Sequence, residues 1–102
     1  MNPLLRAALL ACTILACTCL AAPAATILCL GDSLTAGYGV DESEAWPAQV
    51  AALAKAADRD WVVINAGVSG DTTAGGLRRL AWALRAKPDV VVVALGGNDG
   101  LR

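Results

Sequence analysis

The sequence predicts an α/β protein in which helices cover both faces of a parallel sheet. Three short apolar runs rich in β-branched residues, residues 26–30, 61–66 and 89–95, are each followed by a glycine. Continuous apolar runs of this length are typical of strands buried on both faces, as in a parallel sheet. A helical pattern separates each run from the next. With right-handed crossovers, this order predicts a three-layer α/β/α sandwich, of which about three strands and two helices are present.

The two predicted helices follow from apolar residues that recur at helical spacing. The first covers residues 46–57, where Pro47 is acceptable in the first turn, and the second covers residues 77–84. The pair Lys87-Pro88 is expected to end the second helix. Its arginines are expected on the faces away from the apolar stripe: Arg78, Arg79 and Arg85. Two tryptophans fall on apolar stripes and are expected in the core rather than as a substrate platform: Trp46 and Trp82.

The N-terminus has the layout of a secretory signal peptide. Residues 1–6 carry one charged side chain, residues 7–20 are uncharged and rich in Leu, Ala and Cys, and residues 21–25 are AAPAA. The uncharged run is shorter than the roughly 20 residues needed to span a bilayer. We expect residues 1–24 to be cleaved after Ala24, which predicts an exported protein, periplasmic or secreted, without a stable membrane span. An uncut N-terminal anchor and a lipoprotein acylated at Cys17 remain as alternatives.

Composition limits the chemistry that the 102 residues can perform. The net charge of −1 gives no basic face for nucleic acid. The absence of histidine excludes His-ligated metal sites and Ser-His or Cys-His catalytic pairs within these residues. The spacings of the dinucleotide fingerprint and the P-loop do not occur, so neither cofactor nor metal is expected. Signal cleavage would leave Cys29 alone, and its apolar neighbours predict a small buried side chain.

Three polar, glycine-containing loops follow the predicted strands. Ligands of open α/β sheets bind at the carboxyl ends of the strands, and the fold brings these ends to one edge. The loops are therefore the expected functional region: residues 31–37 (GDSLTAG), 67–73 (GVSGDTT) and 96–100 (GGNDG).

These loops resemble the conserved blocks of the GDSL, or SGNH, hydrolase family. Residues 30–34 (LGDSL) are similar to its first block, residues 65–70 (NAGVSG) to its second and residues 97–99 (GND) to its third. Residues 25–102 as a whole look like the bacterial periplasmic thioesterase I/lysophospholipase and arylesterase group. The resemblance implies the flavodoxin-like sandwich of SGNH hydrolases and a serine esterase or thioesterase acting on small acyl esters or thioesters.

The resemblance also implies a role for individual residues. Ser33 matches the family nucleophile, whose hydroxyl attacks the ester carbonyl once a base removes its proton. The oxyanion hole would use the backbone N–H groups of Ser33 and Gly70 and the side-chain amide of Asn98. Taken singly, Ser33 also fits a helix cap, and Gly70 and Asn98 fit turn residues. Asp32 is expected to organise its loop and Asp71 to cap the second helix or lie in its first turn, whereas the role of Asp99 is left open.

The sequence departs from the family in lacking the Asp-x-x-His block that supplies the base. We expect residues 25–102 to be the N-terminal part of an SGNH domain that is truncated before this block, and to be inactive alone. A short protein that has lost catalysis is the alternative. Three parallel strands alone would expose apolar edges and faces. Two other functions stay open on the same fold: a non-catalytic ester-binding or interaction module, and a structural exported domain.

Overall fold

The computed structural model describes residues 1–7 and 23–102. The strands are β1 (Ala25–Gly31), β2 (Trp61–Gly67) and β3 (Val90–Ala94). The helices are α1 (Ser33–Ala36), α2 (Trp46–Ala56), α3 (Thr73–Ala83) and α4 (Gly97–Gly100), with 3-10 turns at Glu42–Glu44 and Leu84–Ala86. Most of the predicted signal peptide, including Cys17, lies outside the described residues. Within the described ranges, no helix is both long and apolar enough to cross a membrane.

The sheet is parallel, with strand order β2-β1-β3. β1 is therefore central, and the chain crosses over it to pass from β2 to β3. This is the strand order of the flavodoxin-like fold, in which the direction of winding reverses between β1 and β3. The predicted strand-helix-strand-helix-strand order is confirmed. The reversal places the loops after β1 and β3 next to each other, where ligands of such sheets bind.

The two long helices begin at recognisable sequence signals. α2 has Pro47 in its first turn, as expected. α3 begins four residues before the predicted segment, and its N-cap is Thr72, whose hydroxyl accepts a hydrogen bond from the Gly75 N–H at 3.1 Å. The prediction that Asp71 caps this helix or lies in its first turn is therefore wrong. The helical conformation ends before Lys87, which adopts a φ of 50°.

The core lies on both faces of the central strand. Leu28 and Leu30 pack with Ala83 of α3 on one face. The intervening Cys29 points to the opposite face, because side chains alternate along a strand, and it is fully buried. Burial raises the pKa of the Cys29 thiol. The prediction of a small buried cysteine is confirmed.

β3 and Trp82 are both exposed in the described part of the chain. All five residues of β3 are exposed, as expected where three parallel strands alone leave apolar edges and faces uncovered. Trp82 is 70% exposed and lines a groove of about 510 Å³ between β2 and α3, so its assignment to the core is wrong. Trp46 is half-buried.

Candidate active site

The site begins at the turn between β1 and α1. Asp32 is the N-cap of α1, and its Oδ1 accepts a hydrogen bond from the Leu34 N–H at 3.0 Å. This contact confirms the expected loop-organising role of Asp32, whose side chain is buried. Ser33 is the first residue of the helix rather than its cap, so the alternative interpretation of Ser33 as a cap is wrong. Its half-buried side chain stands at the carboxyl edge of the sheet.

The short helix α1 is fixed from two sides through Thr35. The indole Nε1–H of Trp46 donates to Thr35 Oγ1 at 3.1 Å, and the Asn65 amide donates to the Thr35 carbonyl at 2.9 Å. The other end of the Asn65 amide accepts from the Gly67 N–H at 2.9 Å. Gly67 is in direct contact with α1, because a Cβ at this position would overlap the backbone nitrogen of Ala36. The turn that carries Ser33 is thereby tied to the end of β2.

The second loop carries Gly70 in a conformation that favours glycine. Its φ is 81°, in the left-handed region, where a side chain would be strained. The following residue, Asp71, forms an ion pair with Arg79 at 2.7 Å. The Asp71 carbonyl accepts a hydrogen bond from Asn98 Nδ2 at 2.9 Å. The loop is therefore joined both to α3 and to the third loop.

The third loop is held against the start of α3 by two neighbouring side chains. Asn98 uses one amide N–H for the Asp71 carbonyl, which leaves its second N–H for another acceptor. Asp99 accepts hydrogen bonds from the Thr73 hydroxyl at 2.7 Å and from the Thr73 N–H at 3.0 Å. These bonds, with the hydroxyl contributing most, lower the pKa of the Asp99 carboxyl. Asp99, whose role the sequence left open, therefore links the loop after β3 to the start of α3.

Sequence reasoning missed Arg79, which it placed on an outer face of its helix. The Arg79 side chain is only 21% exposed. It donates to the carbonyls of Gly31 and Ala66, at the ends of β1 and β2. The only sequence signal for this contact was the spacing between Asp71 and Arg79. It places an acidic residue just before the helix and a basic residue two turns into it. In the described part of the chain, no group of His, Cys, Asp or Glu side chains is arranged to hold a metal ion.

Comparison with known proteins decides the family. Residues 29–102 match the model of the GDSL-like lipase/acylhydrolase family. The chain belongs to this family. The resemblance drawn from the loop motifs is confirmed.

Named relatives and a solved structure agree with this assignment. The chain is 49% identical to "Esterase TesA" of Pseudomonas aeruginosa over 82 residues, which cover 79% of this chain and 41% of that protein. It is 48% identical over 87 residues to "Thioesterase 1/protease 1/lysophospholipase L1" of Escherichia coli, covering 80% of this chain and 38% of the relative. The structure of AlinE4, an SGNH-hydrolase family esterase, superimposes with a TM-score of 0.70 at 46% identity, over 80% of this chain and 45% of that one.

These matches confirm the predicted fold class and define how much of it is present. The structural relatives have the SGNH-hydrolase fold. The chain spans about two fifths of the length of the curated relatives that it matches. The described residues contain the three polar loops, on a sheet of three strands, within the segment that the family model matches.

Proposed function

We propose that these residues form the nucleophile and oxyanion-hole half of a serine ester hydrolase. In this proposal Ser33 is the nucleophile, and the backbone N–H groups of Ser33 and Gly70 and the amide of Asn98 bind the oxyanion. The substrates are small acyl esters or thioesters, of arylesterase or lysophospholipase type, and no cofactor or metal takes part. The relatives carry names of esterases and thioesterases, which supports this substrate class.

One hydrogen bond carries the proposal. The Asn98 amide donates to the carbonyl of Asp71, the residue that directly follows Gly70. Two of the three proposed oxyanion donors are therefore held in a fixed relation, although Asp71 and Asn98 lie 27 residues apart in the sequence. Preorganised donors of this kind stabilise the negative charge that develops on oxygen in the transition state.

The proposed reaction proceeds through an acyl-enzyme. A base removes the proton from the Ser33 hydroxyl as its oxygen bonds to the acyl carbon, and the carbonyl oxygen becomes an oxyanion held by the three donors. Collapse of this intermediate breaks the bond to the alcohol or thiol, which leaves with the proton. Water then attacks the acyl-enzyme and releases the acid and Ser33. Because the 102 residues contain no histidine, the base and its orienting carboxylate are proposed to come from an Asp-x-x-His segment outside them.

The protein is proposed to act after export. Residues 1–24 would direct it to the periplasm or the medium and be removed after Ala24, which leaves Cys29 as the only cysteine of the segment. The net charge of −1 gives no reason to expect nucleic acid as a partner. Because the 102 residues contain no histidine, a non-catalytic ester-binding module on the same fold is the second candidate function.

The test compares Ser33→Ala with Ser43→Ala in the full-length protein. Ser43 is an exposed serine in the 3-10 turn Glu42–Glu44 and serves as the matched control. Hydrolysis of a p-nitrophenyl acyl ester is expected to fall about 10⁴-fold or more in Ser33→Ala, because removal of a serine nucleophile costs up to about 10⁶ in kcat. Ser43→Ala is expected to keep wild-type activity. An unimpaired Ser33→Ala enzyme would refute the hydrolase mechanism, and tight ester binding without turnover by the wild type would favour the binding module.

A further inference from the structure

One guanidinium joins the ends of two strands to the second loop. Arg79 Nη1 donates to the Ala66 carbonyl at 2.7 Å, and Nη2 donates to the Gly31 carbonyl at 2.9 Å. The remaining nitrogen, Nε, donates to Asp71 Oδ2 at 2.7 Å. Each of the three guanidinium nitrogens therefore has its own acceptor. The ion pair is largely shielded, with the side chains of Arg79 and Asp71 21% and 12% exposed.

Two of the three acceptor residues lie next to proposed oxyanion donors along the chain. Gly31 is two residues before Ser33, and Asp71 directly follows Gly70. The Asp71 carbonyl in turn accepts the hydrogen bond from Asn98. Arg79 is thus connected to the surroundings of every donor, through one side chain on a helix that is itself packed on the sheet.

We infer that Arg79 is the positioning residue of the oxyanion hole. It fixes the end of β1, which leads into Ser33, relative to the loop that carries Gly70, and it steadies the carbonyl that orients Asn98. Misplacement of catalytic groups by about 1 Å can cost about 100-fold in rate, so a residue of this kind affects catalysis without touching the substrate. This inference rests on the proposed function and adds to it a residue that the family motifs at the loops do not contain.

Lysine cannot replace Arg79 in this arrangement. The guanidinium is a rigid planar fork that reaches several acceptors at once, whereas an ammonium is a compact point charge on a flexible stem. Arg79→Lys keeps the positive charge beside Asp71 but loses the simultaneous contacts to both strand ends. The pair Arg79→Lys and Arg79→Gln therefore separates the effect of geometry from the effect of charge.

The experiment uses the full-length protein and counts active sites before measuring rates. Complete reaction with a fluorophosphonate titrates the competent sites, and kcat is expressed per titrated site. Both Arg79→Lys and Arg79→Gln are expected to lower kcat about 10- to 100-fold while KM stays within about twofold, because the donors are misplaced but the substrate pocket is kept. The control is Arg78→Gln, an exposed neighbour on the same helix, which is expected to leave both constants unchanged.

The possible outcomes separate this inference from the proposed function. A lower thermal stability with an unchanged kcat per titrated site in the Arg79 variants would show a merely structural role and overturn the inference alone. If Arg79→Gln does not fold, Asp71→Asn provides the same test, because it weakens one of the three guanidinium contacts. A several-fold lower kcat per site supports the inference, and an unchanged value overturns it. A folded wild type that neither hydrolyses esters nor reacts with the fluorophosphonate would remove the proposed function, and the inference with it.

Discussion

β1 and β3 are neighbouring parallel strands with similarly apolar sequences, ATILCLG and VVVVA. The last five residues of β1 are buried, whereas all of β3 is exposed. β1 is central and has a strand on either side, whereas β3 is paired on the β1 side. The loops that follow the two strands are nevertheless both held by hydrogen bonds, at Asp32 after β1 and at Asn98 after β3.

The two strands therefore differ in what holds the loop that follows each of them. On the β1 side, apolar burial and close packing add to the hydrogen bonds at Asp32 and Thr35 that hold the turn carrying Ser33. On the β3 side, the loop is positioned by polar contacts of Asn98 and Asp99 to the second loop and to α3. Because Asn98 is a proposed oxyanion donor held by a hydrogen bond to the Asp71 carbonyl, its loss should affect catalysis more than stability. Changes to the packing around β1 and α1 should lower stability, whereas loss of the proposed nucleophile Ser33 should affect activity.

Among the changes that test this comparison, the largest effect is expected for Asn98→Ala. This change removes an oxyanion donor, and loss of one such donor typically lowers kcat by about 10² to 10³. It also removes the hydrogen bond to the Asp71 carbonyl, which contributes only about 1 kcal/mol to stability. Steady-state hydrolysis by the full-length protein gives the first quantity, and urea unfolding gives the second. A large loss of stability with unchanged kcat would show that Asn98 stabilises the fold and does not contribute to catalysis.

A smaller effect, now on stability, is expected for Gly67→Ala. The added Cβ would overlap the Ala36 backbone nitrogen, so α1 must move away from β2. Overpacking of this kind costs typically about 1 to 3 kcal/mol, measured as a shift of the urea midpoint. The matched control is Gly100→Ala, where nothing lies within 4 Å of the added methyl group and little change is expected. Equal midpoints for the two variants would contradict the close packing of α1 on β2.

The smallest effect concerns the link between Asp99 and Thr73. The hydrogen bonds from Thr73 lower the pKa of Asp99, so they stabilise the fold above the ordinary carboxyl pKa and lose this contribution as the pH falls through the lowered value. The Tm difference between wild type and Thr73→Val is therefore expected to be largest near neutral pH and to shrink below about pH 4. Thr73→Ser, which keeps the hydroxyl, should follow the wild type. A gap that does not change with pH would show that the carboxylate is not responsible.

Much of the fold was predictable because its signals are local. The observed strands agree with the predicted runs to within one residue at each end, since apolar β-branched runs bounded by glycine define them. The start of α3 was placed too late, because Gly75 and Gly76 hide the helical pattern. The structure shows why they are there: a side chain at Gly75 would overlap Asp71, and one at Gly76 would overlap Leu95.

The rest depends on contacts between distant segments, which periodicity does not reveal. The exposure of Trp82 depends on how much of the sheet lies beneath α3. Arg79 contacts residues that lie 8, 13 and 48 positions earlier in the chain. Its position on the helix does not reveal these contacts and predicted a solvent-exposed side chain. The motif residues Ser33, Gly70 and Asn98 were selected by family resemblance, and their roles remain proposals.

Fluorophosphonate labelling of the full-length protein tests the central claim most directly. The reagent forms a stable bond to an activated serine, and peptide mass spectrometry identifies the residue that carries it. The proposed mechanism predicts a single adduct on Ser33, which is lost in Ser33→Ala and retained in Ser43→Ala. An adduct on a different residue, or none on a folded and ester-hydrolysing protein, would contradict the assignment of Ser33 as the nucleophile.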